Sequence, residues 1–237
     1  TISKSMKKKL GMKGIKVNNQ FLFPNWSNLN EITHSKDLGR AFRIKEGFNK
    51  DDFLILYSGN IGKKQGLELV IESAVNLKKN KKIKYIFCGD GVNKEKIVNL
   101  VHKNKLLNCF FYPLQDINEF NSMLNAANIH LVIQKSDAAD LVMPSKLTNI
   151  IASGGFSIVT AELDTELGNL IENNKFLGAR IMPNNSEILT DTINYILSGA
   201  HEINNYEIRN FAEQNFEINE VMNFFNLNIE KVIKDTN

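Results

Sequence analysis

The 237-residue chain has two cysteines, Cys88 and Cys109, each inside an apolar, strand-like run. So small a supply excludes a disulfide scaffold, and the pair is expected to be reduced and buried, as in a cytoplasmic protein. The four histidines (His34, His102, His130 and His201) are scattered without ligand spacing, so no metal site is expected. No apolar run approaches the roughly 18 residues that span a bilayer, and the first residues do not read as a signal peptide. A P-loop and a dinucleotide-type G-x-G-x-x-G are both missing. So are aromatic interleaving and a recognition motif, which argues against nucleic acid as a partner. No internal repeat or low-complexity tract occurs.

What is present is ordinary globular material, 43% hydrophobic, enough to bury a real core. The net charge of +3 is unevenly spread. "SKSMKKKLGMKGIK" carries six lysines and no acid, and two readings fit. It is a solvated helix face, or it draws the protein peripherally to an anionic membrane surface or a phosphate-bearing lipid. The opening "TIS" resembles the tail of a strand, and the chain is expected to lack an N-terminal domain.

From residue 53 onward short apolar runs alternate with helical periods. "FLILYSG", "IKYIFCGDG", "CFFYPL", "IHLVIQK", "FSIVTAE" and "ARIMP" predict buried parallel strands. Between them, "GLELVIESAVNLKK", "NKEKIVNLVHKNK", "INEFNSMLNAAN", "SKLTNIIASG" and "TELGNLIENN" predict helices, and three more helical stretches follow. This is an α/β chain with a Rossmann-like, doubly wound parallel sheet. Residues 14–50 are less regular: "NNQFLFPNW" predicts a strand ending in a turn, and "SKDLGRAFRIKEGF" a linker and short helix. The stretch is expected on the sheet edge.

Open parallel sheets bind ligands at the carboxyl ends of their strands. The first strand ends in "SGNIGKKQG", where Gly59 and Gly62 permit close backbone approach around Asn60, and Lys63 and Lys64 supply cations. The second ends in Gly89-Asp90-Gly91, a tight turn that Asp90 can cap. After the third, Tyr112 and Leu114 either wall a flat ring or pack in the core. After the fourth comes "KSDAADLVMPSK", where Asp137 and Asp140 are solvated residues or acceptors for sugar hydroxyls. Pro144, Ser145 and Lys146 then open a helix whose free N–H groups, beside a lysine, suit a phosphate. Ser145 is expected to cap that helix. Asn149, one turn on, is expected to face the same cleft.

Together "YSGNIGKKQGLELVIESA", "FCGDG", "FFYPLQ", "LNAANIHLVIQ" and "ADLVMPSKLTNIIASGG" resemble the C-terminal half of a GT-B glycosyltransferase of family 4. The resemblance is strongest to the bacterial branch of colanic acid and O-antigen enzymes, including fucosyl- and N-acetyl-L-fucosaminyl-transferases. It implies a nucleotide-sugar-binding domain over residues 51–237, with residues 1–50 a remnant of the interdomain region. The donor would be a UDP-sugar, with a GDP-sugar as the alternative. The acceptor would be a lipid-linked glycan reached through the missing domain, at the inner face of the bacterial plasma membrane. It implies no metal, in keeping with the missing Asp-x-Asp, and no further cofactor.

Carried over by position, the family's glycine-rich loop falls on Gly59–Gly66, with Asn60 in place of the common arginine and Gln65 in place of a lysine. The diphosphate charge then rests on Lys63, Lys64 or Lys146. The backbone of Val142, Met143, Pro144 and Ser145 would cradle the diphosphate, and Tyr112 to Leu114 would hold the base. Of the family's two glutamates, the second aligns with Asn149 and the first falls near Asp140, so Asp140 and Lys146 are the candidate catalytic residues. A UDP-sugar 2-epimerase shares this architecture but wants a histidine at the sugar. A non-catalytic nucleotide-binding module is the other alternative.

Overall fold

A computed structural model describes residues 1–16, 20–135 and 144–236. Six strands form one parallel sheet: β1 (Phe53–Ser58), β2 (Ile83–Cys88), β3 (Cys109–Tyr112), β4 (Ile129–Val132), β5 (Ser157–Thr160) and β6 (Gly178–Ile181). Their order is β3-β2-β1-β4-β5-β6. β1 runs in register with β2 from Phe53–Ile83 to Ser58–Cys88, but meets β4 only at Ile55–Ile129 and Leu56–His130. The strand order reverses at that seam.

Helices connect the strands: α3 (Glu68–Asn76), α4 (Lys94–Lys103), α5 (Ile117–Ala126), α6 (Ser145–Ala152) and α7 (Glu166–Asn173). α8 (Ser186–Leu197), α9 (Asn205–Asn215) and α10 (Ile218–Thr236) follow β6. Before the sheet lie α1 (Lys4–Met12) and α2 (Lys36–Lys45). α3 packs on α4 and α8, α6 on α9, and α2 on α5. Right-handed crossovers that leave β1 in opposite directions put helices on both faces, so the strands are buried from both sides. The apolar residues Leu54–Tyr57 and Ile129 to Val132 accordingly lie in one core, together with His130.

Local chemistry sets the helix ends. Ser35, Asp116, Thr165, Asn185 and Asn204 each accept a hydrogen bond from a first-turn amide, which satisfies donors that would otherwise be orphaned. α6 ends where Gly154 adopts φ +74° and the Gly154 and Gly155 amides bond back to Ile151 and Ile150. Gly155 has a second reason to be bare: a Cβ there would meet the His130 ring at 2.5 Å. Burial depresses the His130 pKa to about 3, so this imidazole is neutral in the core.

Two expectations are corrected. Over the described residues 20–26 there is no strand; a single bridge joins Ser27 to Glu217 at the start of α10. The aromatic run instead packs on a helix, with Phe23 against Phe225 and Trp26. The stretch before β1 does not border the sheet as an edge either, because α2 lies on α5. Both cysteines are free thiols, Cys88 buried and Cys109 half-buried, and burial pushes the Cys109 thiol up to about 12. Among the described residues no helix is long and apolar enough to cross a membrane.

The α2–α5 crossing is close because Gly39 has no side chain: a Cβ there would collide with the Asn125 backbone. Gly39→Ala is therefore expected to cost about 1–3 kcal/mol in urea unfolding, the range for overpacking. Gly11→Ala, in α1 with only Gln20 Nε2 at 3.9 Å, should be neutral or stabilising by up to about 1 kcal/mol. Equal effects at the two positions would show that the crossing is not sterically tight.

Candidate functional site

The loops that leave β1 and β2 are locked together by backbone contacts. The Gly59 amide donates to Cys88 O at 2.9 Å, the Ile61 amide to Asp90 O at 2.7 Å, and the Asn93 amide to Ile61 O at 3.0 Å. Gly59 and Gly89 sit at φ +123° and +140°, and a Cβ on Gly89 would strike the Gly59 carbonyl. Only glycine tolerates both the conformation and the approach. Gly91 is equally confined, since its Cβ would fall 2.5 Å from Asn60 Oδ1 and Ile61 O. Asp90 accepts from the Gly91 amide at 2.8 Å, which caps the turn as expected, and faces Lys94 at 3.9 Å.

Further along the β1 loop, the Gly62 amide donates to Gln65 Oε1 at 3.1 Å, so Gln65 shapes the turn itself. Lys63 and Lys64 lie in the 3-10 turn Lys63–Gln65 and are exposed. The Lys135 amide donates to Lys64 O at 2.9 Å, joining the β1 loop to the chain leaving β4. These loops lie at the switch point of the sheet, where open α/β folds place their ligands.

Lys146 enters this crevice from α6. Its Nζ lies 3.9 Å from the centroid of the Tyr57 ring and would be 3.3 Å from a Cβ on Gly59. It is sealed from solvent and has no hydrogen-bond partner among the described residues. Burial alone depresses the Lys146 pKa to about 7, because removing an ammonium from water disfavours its charged form. Among the described residues the Tyr57 face is the one compensation, a contact worth ~2 kcal/mol when desolvated. Tyr57 is fixed in turn by its hydroxyl, which donates to Asn60 O at 2.6 Å. Burial also raises the Tyr57 pKa, so the ring stays neutral. A second orphaned polar atom, Gln134 Nε2, is buried where the chain leaves β4. The Gln134 backbone is held by Thr160, whose Oγ1 accepts from its amide at 2.7 Å and donates to its carbonyl at 2.8 Å.

The other expected site residues divide. Gly59, Asn60, Gly62, Gly89, Asp90, Gly91 and Lys146 share one crevice. Pro144, not Ser145, is the N-cap of α6 and has no side chain to offer; Ser145 is the exposed first helical residue. That corrects the capping role, because proline's fixed φ suits the entry and leaves this end without a side-chain cap. Asn149 Oδ1 accepts from Ser27 Oγ at 2.8 Å, which ties it to the segment beside α10. Tyr112 donates from its hydroxyl to Glu46 Oε2 at 3.0 Å, with its ring against Phe42. Leu114 is exposed. Asp137, Asp140, Val142 and Met143 lie outside the described residues.

Sequence reasoning missed Tyr57 and Gln134. Tyr57 had one signal, a tyrosine two residues before the loop glycine in a strand otherwise aliphatic at its end. Gln134 had none beyond its place after a strand.

The buried ammonium should leave a trace in stability. Free lysine titrates near 10.4, so between about 7 and 10.4 the unfolded chain binds more protons than the folded one. Stability contributed at this site therefore rises with pH through that window, and the penalty is complete below about 7. Lys146→Met is expected to raise the melting temperature of the ligand-free protein at pH 6, with the gain shrinking towards pH 10. A gain independent of pH would mean that the ammonium is solvated.

The group "Glycosyl transferases group 1" matches residues 40–214. WcaI of Escherichia coli (strain K12), whose name places it in colanic acid biosynthesis as a glycosyl transferase, is 38% identical over 227 residues. That match covers 95% of this chain and 55% of WcaI. The O-antigen biosynthesis glycosyltransferase WclY of Escherichia coli is 30% identical over 102 residues, 43% of this chain and 28% of WclY. Among solved structures, Anabaena Alr3699/HepE in complex with UDP-glucose superposes with a TM-score of 0.81 at 12% identity, covering 99% of this chain and 63% of that one. The chain thus spans little more than half the length of WcaI, and its sheet is that of a GT-B half. On the family match over most of its length and the identity to WcaI, the chain belongs to the group 1 glycosyl transferases.

Proposed function

We propose that this chain is the donor-binding half of a glycosyltransferase that moves a sugar from a nucleoside-diphosphate sugar to a lipid-linked glycan in surface polysaccharide synthesis. The observation that carries the reading is the buried ammonium of Lys146 in the switch-point crevice, without a hydrogen-bond partner among the described residues. A charge held there without a counter-ion is costly in the free protein and becomes favourable when an anion arrives. A diphosphate supplies that anion. In transfer, negative charge grows on the leaving diphosphate, and a preorganised ammonium beside glycine backbone stabilises it without reorganising. Asp140 is proposed for the sugar contact.

UDP is favoured as the nucleotide, in line with the UDP-glucose held by HepE. The sugar, L-fucose or N-acetyl-L-fucosamine, rests on the resemblance of "ADLVMPSKLTN" to that branch. In this reading residues 51–237 hold the donor, residues 1–50 lead into that domain, and acceptor contacts belong to the rest of the enzyme. The reaction takes place on the cytoplasmic side, where nucleotide-sugars are made.

Isothermal titration of UDP and uridine tests the proposal. Lys146→Ala is expected to weaken UDP about ten- to hundredfold, since a charge-assisted contact contributes roughly 1.5–3 kcal/mol, and to leave uridine unchanged. In the wild type, UDP should bind more weakly as pH rises through about 7, with proton uptake on binding that Lys146→Ala abolishes. Equal losses for UDP and uridine would reveal a structural defect, and an unchanged UDP affinity would remove Lys146 from the phosphate site.

A further inference from the structure

At the opposite end of the sheet lies a cavity of about 550 Å³. Asn128 immediately precedes β4 and Lys50 shortly precedes β1, so the cavity opens where these two strands begin. β1 has six residues, which separates it from the Lys146 crevice by about 20 Å. Four cations stand in its wall, Lys36, Arg40, Arg43 and Lys50, and no carboxylate does. Asp37 and Asp51, adjacent in sequence to two of them, are not part of the wall.

The cations play two parts. Arg43 is the fixed one. Its Nε and Nη2 donate to Ala126 O at 3.0 and 2.7 Å, Nη2 also to Asn128 Oδ1 at 2.7 Å, and Nη1 to Asp52 O at 2.8 Å and Asn49 O at 3.4 Å. All five guanidinium donors end on neutral oxygens, so the charge stays while the hydrogen bonds are spent. Burial lowers the Arg43 pKa and the nearby Asp52 charge opposes that shift; the Asp52 carboxylate is shared, accepting from the Asn49 amide at 2.8 Å and facing Lys84 at 3.8 Å.

Lys36, Arg40 and Lys50 are the uncommitted ones: exposed, with no ion pair among the described residues. Lys45, one turn away on the same helix, does find a carboxylate, Glu119 at 2.8 Å. Among the amides, Asn125 is fully engaged, while Asn128 has its oxygen occupied by Arg43 and the Leu54 amide and its NH2 without a partner among the described residues. Every side-chain polar group left free in the wall is therefore a donor. A ligand here must be an acceptor and an anion.

We propose that this cavity is a second anion site, which takes a phosphate monoester or diester through Arg40, Lys36 and Lys50 over the fixed charge of Arg43. Charge-assisted bonds to phosphate are the strong class, and Phe48 and Ile44 give the apolar part of a ligand a surface to lie on. The same chemistry is offered by a small phosphorylated metabolite and by the headgroup of an anionic lipid.

Two probes separate the sources: glycerol 3-phosphate by isothermal titration, and phosphatidylglycerol vesicles, with phosphatidylcholine as blank, by co-sedimentation. The test variant is Arg40→Glu with Lys50→Glu. The control, Lys78→Glu with Lys79→Glu, makes the same charge change in the exposed turn that follows α3. The test pair is expected to weaken whichever probe binds by roughly tenfold or more, and the control by less than about twofold. Loss confined to glycerol 3-phosphate identifies a soluble ligand; loss confined to vesicles identifies a lipid headgroup. Saturating UDP should not displace the probe, and displacement would put the anion in the donor crevice and overturn the proposal. So would binding of neither probe, or equal losses in test and control variants. A matching far-UV melt of the test pair shows that the fold is intact.

Discussion

β1 and β4 share two registered residue pairs, and the molecule is organised around that short seam. Toward the carboxyl end the registered pairing stops at Leu56–His130, before the Gly59 loop and the Lys146 helix. Toward the amino end the Asn128 amide still donates to Leu54 O at 2.8 Å, and the cavity walled by α2 and the end of α5 lies beyond that bond. Both openings follow from one topological fact: crossovers that leave the seam in opposite directions cannot pack on the same face.

The two openings are built by different means. At the carboxyl end, glycines do the work. Backbone approaches backbone at Gly59, Gly89 and Gly91 closely enough that any side chain would separate the loops. Among the described residues, Tyr57 and Lys146 meet there beside Gly59. At the amino end a single arginine, Arg43, gathers the carbonyls that strand and helix ends leave unpaired. Elsewhere Arg209 plays a related role, bonding Ile32 O, Ala152 O and Leu29 O and so fastening the early segment to α6 and α9. Arg43 and Arg209 thus act as clamps on neutral backbone, Arg209 while also paired to Glu213 at 2.8 Å.

The sheet was legible because strands buried on both faces must be apolar without interruption, as "FLILYS" is, and helices between them must be apolar on a stripe. The loop glycines were legible for a similar reason, since few other residues are tolerated there. The stretch before residue 30 misled, because Phe23 and Trp26 look alike to a strand and to a helix-packing loop, and α10 supplies the partner from 200 residues away. Ser145 misled because Pro144 occupies the cap position beside it. Tyr57 stayed hidden because burial in a strand core and burial beneath an ammonium leave the same mark on a sequence. Tyr112 and Asn149 have partners, Glu46 and Ser27, in the segment whose course periodicity does not predict.

Lys146 and Arg43 both carry charge with no carboxylate bonded to it, at opposite ends of β1, yet they differ in one chemical freedom. The lysine, at about 7, can shed its proton; a guanidinium keeps its charge at any physiological pH. Mild alkalinity therefore removes the Lys146 charge and leaves that of Arg43 standing. The electric dipole of the domain changes by one charge displaced over about 20 Å, and with it the orientation the domain prefers in the field of any charged surface it approaches.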